Sequence, residues 1–257
     1  MKTRTLGFIG GGRITKVFLQ AFKNKNVPLE NVKVFDTNSD TVAELKNLFP
    51  EIVPVESAQD AASQELLILA VHPPVMLETL QAVKPVVNEE TVVISLAPKI
   101  TNDKMASVLS TKKLVRMIPN ATSFINAGYN PVAFYENFDE TEKKQVKKLL
   151  KKLGRLIETE ENKLESYAMA SAMLPTYFWF QWKELEKISE EIGLTPKEAQ
   201  KAVSSTLKKA WKLYYKSGLK PEEVMDLIPV KPIAENEAEI REILNTKLVG
   251  LFNKIKP

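Results

Sequence analysis

Residues 6–15 read LGFIGGGRIT, which places Gly10, Gly12 and Thr15 at the three glycine positions of the pattern G-x-G-x-x-G. The first glycine of such a loop permits a tight turn, and the second lets a pyrophosphate approach the backbone. The helix that follows offers free N–H groups and a partial positive charge to the phosphates. A turn that needs glycine for steric reasons alone would account for Gly10 or Gly12, but not for both. Thr15 departs from the third glycine, at the cost of some closeness between helix and strand. Asp36 ends the apolar run NVKVFD roughly 20 residues further on, where a carboxylate meets the adenosine ribose hydroxyls. Thr37, Asn38 and Ser39 follow it without an arginine or lysine for a 2′-phosphate, which favours NAD over NADP. Asp36 could otherwise serve as a helix cap, a task open also to Ser39 or Asp40.

The remaining chemistry is narrowed by composition. The 257 residues include no cysteine and a single histidine, His72, which excludes disulfides, thiolate nucleophiles and thiolate metal sites; no metal ligand set is expected. No G-x-S-x-G nucleophile elbow occurs. The net charge of +4 comes from 36 basic and 32 acidic residues. The lysine-rich runs EKKQVKKLLKKLG and STLKKAWKLYYK alternate lysine with apolar residues at helical spacing, as solvated helix faces do, so nucleic acid is not the expected partner. No signal peptide or membrane-length apolar run is present, and a cytoplasmic protein is expected.

The elements that must position these residues follow from periodicity. From Thr5 to about Leu96, short apolar runs (TLGFIG, NVKVFD, ELLILAV, TVVISLA) alternate with amphipathic ones, the second helix opening at Ser39 or Asp40. Such alternation implies a parallel sheet with helices on its faces. Further strands are expected at KLVRMIP, PVAFYEN and RLIET, with a helix from Asp139 or Glu140 to Leu153. After about Glu160 the pattern is helical only. A long helix interrupted near Pro175 is stopped by Gly193, and Thr195, Pro196 and Glu198 open the next with a capping box. Another opens at KPEEVMDL, and the last spans about Asn236 to Lys254. The fold class is thus α/β: a Rossmann-type doubly wound domain over residues 1–160, then an all-helical domain over 161–257.

Several stretches together resemble the pyrroline-5-carboxylate reductase family. GFIGGGRIT matches its G-F-I-G-x-G-N-M-A, LAVHPPVM its L-A-V-K-P-Q, and VISLAPKIT its I-S-x-A-A-G-I-T. VRMIPNATSFINAGYNPVAF is similar to R-x-M-P-N-T-P-x-x-V-G-x-G, and the stretch ending SAMLPTY to S-G-S-G-P-A-Y. The resemblance implies a proline-forming imine reductase using NAD or NADP on a small-molecule substrate, with a helical domain that forms a homodimer by interleaving helices. Position by position it implies that Gly10, Gly12, Arg13 and Ile14 line the pyrophosphate, and that Ala70, Val71, His72 and Pro73 pass the nicotinamide. His72 stands where the family has lysine. Asn120 keeps the P-N pair and is implied as a polar group near nicotinamide or substrate.

Two departures lie on the substrate side. Ser171 and Pro175 of the S-G-S-G-P turn remain, but Ala172, Met173 and Leu174 replace its inner residues. The S-P-G-G-T-T loop, expected to hold the substrate carboxylate, should fall near DLIPVKPIAENEAEI, which has neither its glycines nor its threonines. Asn120, Ser171, Thr176 and Lys231 are the candidate catalytic residues, Lys231 because a cation could replace lost donors to a carboxylate. The expected function is hydride transfer to an imine or related small substrate. The alternatives are a dinucleotide-binding sensor or complex partner with lost or altered catalysis and, third, a beta-hydroxyacid dehydrogenase, whose G-x-x-x-K-x-x-N element the chain lacks.

Overall fold

A computed structural model describes residues 4–257. Its centre is an eight-stranded sheet in the order β3-β2-β1-β4-β5-β6-β7-β8. The strands are β1 (Leu6–Ile9), β2 (Val32–Phe35), β3 (Val53–Pro54), β4 (Leu66–Leu69), β5 (Val92–Ser95), β6 (Leu114–Met117), β7 (Gly128–Phe134) and β8 (Gly154–Glu158). The first six are parallel; β7 runs antiparallel to β6, and β8 parallel to β7. The central strands are apolar on both faces because crossovers cover both. Along β4, Leu66 and Ile68 join Phe8, Phe18, Phe22 and Ile94 on one side, while Leu67 and Leu69 join Ile9, Met76, Leu80 and Val93 on the other. Each central strand therefore feeds two core layers with alternate residues.

Helices α1 (Arg13–Asn24), α2 (Ser39–Leu48), α3 (Ala58–Ala62), α4 (Pro73–Val83), α5 (Asn102–Ala106) and α6 (Glu140–Leu150) connect the strands. The cap of α2 is neither Ser39 nor Asp40 but Asn38, whose side chain accepts from the N–H groups of Asp40 and Thr41. The edge strand β3 and the short α3 are too brief to carry a periodic signal, and nothing in the sequence announced them.

The compact unit built on the sheet continues past residue 160 as far as Ala172 and also includes Leu251–Pro257. The short α7 (Leu164–Tyr167) belongs to it, with Leu164, Glu165 and Ala168 buried there. The helix read as interrupted near Pro175 breaks earlier, in a wide turn over Ala168–Ala172. Pro175 lies instead in the first turn of α8 (Leu174–Glu191), where its missing N–H costs nothing.

The second unit, Met173–Gly250, is helical: α8, α9 (Pro196–Lys216), α10 (Pro221–Asp226) and most of α11 (Glu237–Ile255). Gly193 ends α8 with φ 112°, and Thr195 and Glu198 form the reciprocal capping box of α9. Among its residues only Ala199 is buried.

Candidate active site

Parallel strands bring the loops that follow β1, β2, β4, β5 and β6 to one edge of the sheet. The strand order reverses between β1 and β4, which in open α/β sheets is where a ligand crosses the carboxyl edge. At this edge Gly10 has φ 98°, and a Cβ on it would lie 2.5 Å from the carbonyl oxygen of Ala70, so the tight turn requires glycine. A Cβ on Gly12 would meet nothing within 4 Å. Gly12 is also the N-cap of α1 and offers no side chain to the first-turn N–H groups, which have no side-chain cap. These features fit a pyrophosphate. Arg13 is exposed and Ile14 half-buried in the first turn of the same helix. Thr15 is fully buried, and its hydroxyl donates to the Gly10 carbonyl. The third position of the motif therefore braces the loop where glycine would only have admitted a closer strand.

Asp36 is not a side-chain cap of α2. Its Oδ2 accepts from the N–H of Gly11 at 2.7 Å and its Oδ1 from that of Asn38 at 2.9 Å, which fixes the carboxylate beside the glycine loop. On the other side of the reversal, Ala70, Val71, His72 and Pro73 follow β4. His72 is the exposed N-cap of α4, makes no side-chain capping bond, and is followed by Pro73 in the first turn.

Asn120 and Ser171 come together. The Asn120 amide donates to the Ser171 carbonyl at 3.1 Å, and its Oδ1 accepts from the N–H of Thr122 at 3.0 Å and the Thr122 hydroxyl at 2.6 Å. The buried Asn130 of β7 accepts from the Asn120 backbone at 3.2 Å. Ser171 turns its hydroxyl to the Tyr167 carbonyl at 2.7 Å. Thr176 and Lys231 belong to the helical unit. There the Thr176 hydroxyl donates to the Met173 carbonyl at 2.6 Å, and Lys231 is exposed.

An ion cluster beneath these loops went unread in the sequence. Arg116 of β6 is 1% exposed and donates to Glu165, itself 1% exposed, and to Glu161 at 3.2 Å. The same carboxylates accept from the backbone of the loop after β5: Glu165 from Lys99 N at 3.2 Å and Glu161 from Asn102 N at 2.7 Å. A charge this deep is tolerable only when paired and bonded, so the cluster ties β6, the β5 loop and the segment leading to Ser171 into one arrangement. The available signal was an arginine inside the apolar strand KLVRMIP. A shallow cavity of about 500 Å³, walled by Lys25, Lys144, Lys147, Lys148, Lys151 and Lys152, includes the C-terminal end of α1 and lies away from the glycine loop.

Residues 5–99 match the family model described as NADP oxidoreductase, coenzyme F420-dependent. A pyrroline-5-carboxylate reductase of Corynebacterium melassecola is 23% identical over 96% of this chain and 93% of its own length. One from Bacillus spizizenii is 26% identical over 88% and 77%. Among solved structures, the 1-pyrroline-5-carboxylate reductase of Streptococcus pyogenes has the same fold, with a TM-score of 0.76 at 18% identity over 98% of each chain. The Plasmodium falciparum pyrroline carboxylate reductase, solved with NADP bound, gives 0.75 at 18% identity over 99% of this chain and 95% of its own. Over most of its length the chain is therefore similar to pyrroline-5-carboxylate reductases, and it shares the fold of their solved structures.

Proposed function

We propose that the protein reduces a C=N bond, or a related small carbonyl-type group, with NADH favoured over NADPH. The observation that carries this reading is the open cradle at Gly12, at the N-terminus of α1 and beside a fixed Asp36 carboxylate. The dinucleotide would supply the hydride, and the protein's share is binding and orientation. Gly10, Gly12, Arg13 and Ile14 would hold the pyrophosphate, Asp36 the adenosine ribose, and Ala70, Val71, His72 and Pro73 the nicotinamide side. Asn120 sets the position of the Ser171 backbone on the substrate side. An iminium substrate already carries its proton, so hydride addition at carbon leaves a neutral amine and needs no acid–base dyad. Among the described residues no helix is long and apolar enough to cross a membrane, and we place the protein in the cytoplasm. Phe178, Trp179, Phe180 and Trp182 are 42%, 46%, 67% and 38% exposed on α8, and a homodimer formed through the helical unit would cover them.

Calorimetric titration with NADH and NADPH tests the reading: binding of neither ends it, and tighter NADPH binding ends the Asp36 argument. Because the S-P-G-G-T-T donors are missing and Ala172, Met173 and Leu174 add bulk, pyrroline-5-carboxylate itself should be a poor substrate. A kcat/KM at or above roughly 10⁴ M⁻¹s⁻¹, an ordinary enzyme's value, would show that reading of the departures to be wrong. A second reading, a dinucleotide-binding protein without this chemistry, draws support from one observation. The Ser171 and Thr176 hydroxyls and the Asn120 amide are all turned to protein partners. It predicts NADH binding without turnover of any cyclic imine.

A further inference from the structure

Among the described residues, four other than glycine have left-handed backbone: Asn26, Asn126, Asn137 and Lys99, at φ 51°, 58°, 58° and 70°. Asparagine enters this region readily, whereas lysine adopts it at a cost that glycine escapes. Strain of this kind persists where surrounding structure enforces it, and it gathers at ligand sites. Lys99 is enforced from beneath. Its N–H is held by buried Glu165, Asn102 N by Glu161, and both carboxylates by the fully buried Arg116. Leu96, Ala97 and Ile100 are buried around it, so the loop is packed, while the Lys99 side chain is exposed. Among the described residues no ion pair engages its ammonium. The burial gives no packing reason for a side chain there; what the strained position presents is a cation.

Strand order says which loops the Lys99 loop adjoins. The sequence of strands β4-β5-β6 sets the Lys99 loop between Val71–His72 after β4 and Asn120 after β6, whose amide holds Ser171. The pyrophosphate cradle follows β1, two strands from β5, or about 10 Å along the edge. We propose that Lys99 is a specificity-determining residue that receives the carboxylate of an anionic imine substrate. This rests on the reductase reading and supplies an anion partner within the sheet unit itself.

The test compares cyclic imines of five- and six-membered rings, each with and without a ring carboxylate, on the full-length protein. Lys99→Gly keeps the backbone and removes the cation. It should lower kcat/KM for the carboxylate-bearing member of each pair roughly tenfold or more, as loss of a charged hydrogen bond does. The uncharged imines and NADH affinity should stay within about twofold, with the melting temperature unchanged or raised; Lys99→Arg should retain the preference. Where turnover is slow, calorimetry on the NAD⁺-loaded protein replaces kinetics, with proline and pyrrolidine as the pair. Equal carboxylate preference in wild type and Lys99→Gly, with NADH still bound, overturns this proposal alone. A loss that falls on NADH affinity also overturns it, assigning the lysine to a cofactor phosphate. If NADH does not bind at all, the reductase reading fails and this proposal with it.

Discussion

The two units of the chain handle apolar surface in opposite ways. In the sheet unit, Phe8, Phe18, Leu67, Ile94 and their neighbours are fully buried, and even the buried arginine has carboxylates to meet it. In the helical unit Ala199 alone is buried, while Phe180, Ile192, Trp211 and Tyr215 are 67%, 79%, 58% and 63% exposed. An amphipathic helix gains little stability until its apolar stripe is covered, since in proteins most helical stability comes from packing of that face. The sheet unit can complete a core from its own sequence. The helical unit supplies only the surface of one, and a second copy of the chain is the occupant we propose for it.

The comparison breaks most severely if that partner is absent. Replacing Trp179 and Phe180 together by glutamate should weaken dimerisation by roughly 10³-fold or more, two buried aromatic anchors being worth about 2 kcal/mol or more each. Light scattering should then give a monomer mass and the helical unit should lose its cooperative melt. A wild-type protein that is monomeric at micromolar concentration would show that the helices are stable uncovered. On the other side of the contrast, Arg116→Met leaves Glu165 as an unpaired buried charge. It should cost about 3–5 kcal/mol in the denaturant midpoint, of which the double variant Arg116→Met with Glu165→Leu recovers a large part.

Within the sheet unit, two glycines separate folding from binding. Gly10→Ala forces a Cβ toward the Ala70 carbonyl at positive φ and should destabilise by about 1–3 kcal/mol. Gly12→Val has room but loses a favourable N-cap, so stability should fall by only about 1 kcal/mol while calorimetric dinucleotide binding is lost. The smallest effect concerns pH. Burial pushes the Glu142 and Glu158 carboxyls up, but bonds from Arg4 and Lys113 to the first, and from Lys143 and Lys147 to the second, outweigh it and hold both below the ordinary 4.5. Their stabilisation is complete above that value and disappears as pH falls through the lowered ones. With solvent screening each contributes under about 1 kcal/mol, and Glu158→Gln should flatten the acid limb of a melting-temperature profile.

Much of this was legible in the chain. The glycine turn, the alternating strands and helices, the Thr195–Glu198 capping box and the αL stop at Gly193 are local patterns whose physics is complete within a few residues. Asp36 could be read as a ribose partner or as a cap; its carboxylate bonds the N–H groups of Gly11 and Asn38, while the Asn38 side chain caps α2. Helical periodicity groups the segment after Glu160 with the helices. Its helicity is correct in kind, but Leu164, Glu165 and Ala168 pack with the sheet, which helical periodicity cannot reveal.

What the sequence determined by itself is therefore the order of the longer elements and the tight glycine turn after the first strand, because periodicity and glycine placement act over short range. Tertiary structure decided what surrounds the loop proposed to receive the substrate. Arg116, Glu161, Glu165 and the loop carrying Lys99 lie far apart in the chain and meet only because β5 and β6 are neighbours in the sheet. A buried arginine announces that it needs partners; which carboxylates answer, and which loop they then hold in left-handed backbone, depends on long-range packing that no local pattern encodes.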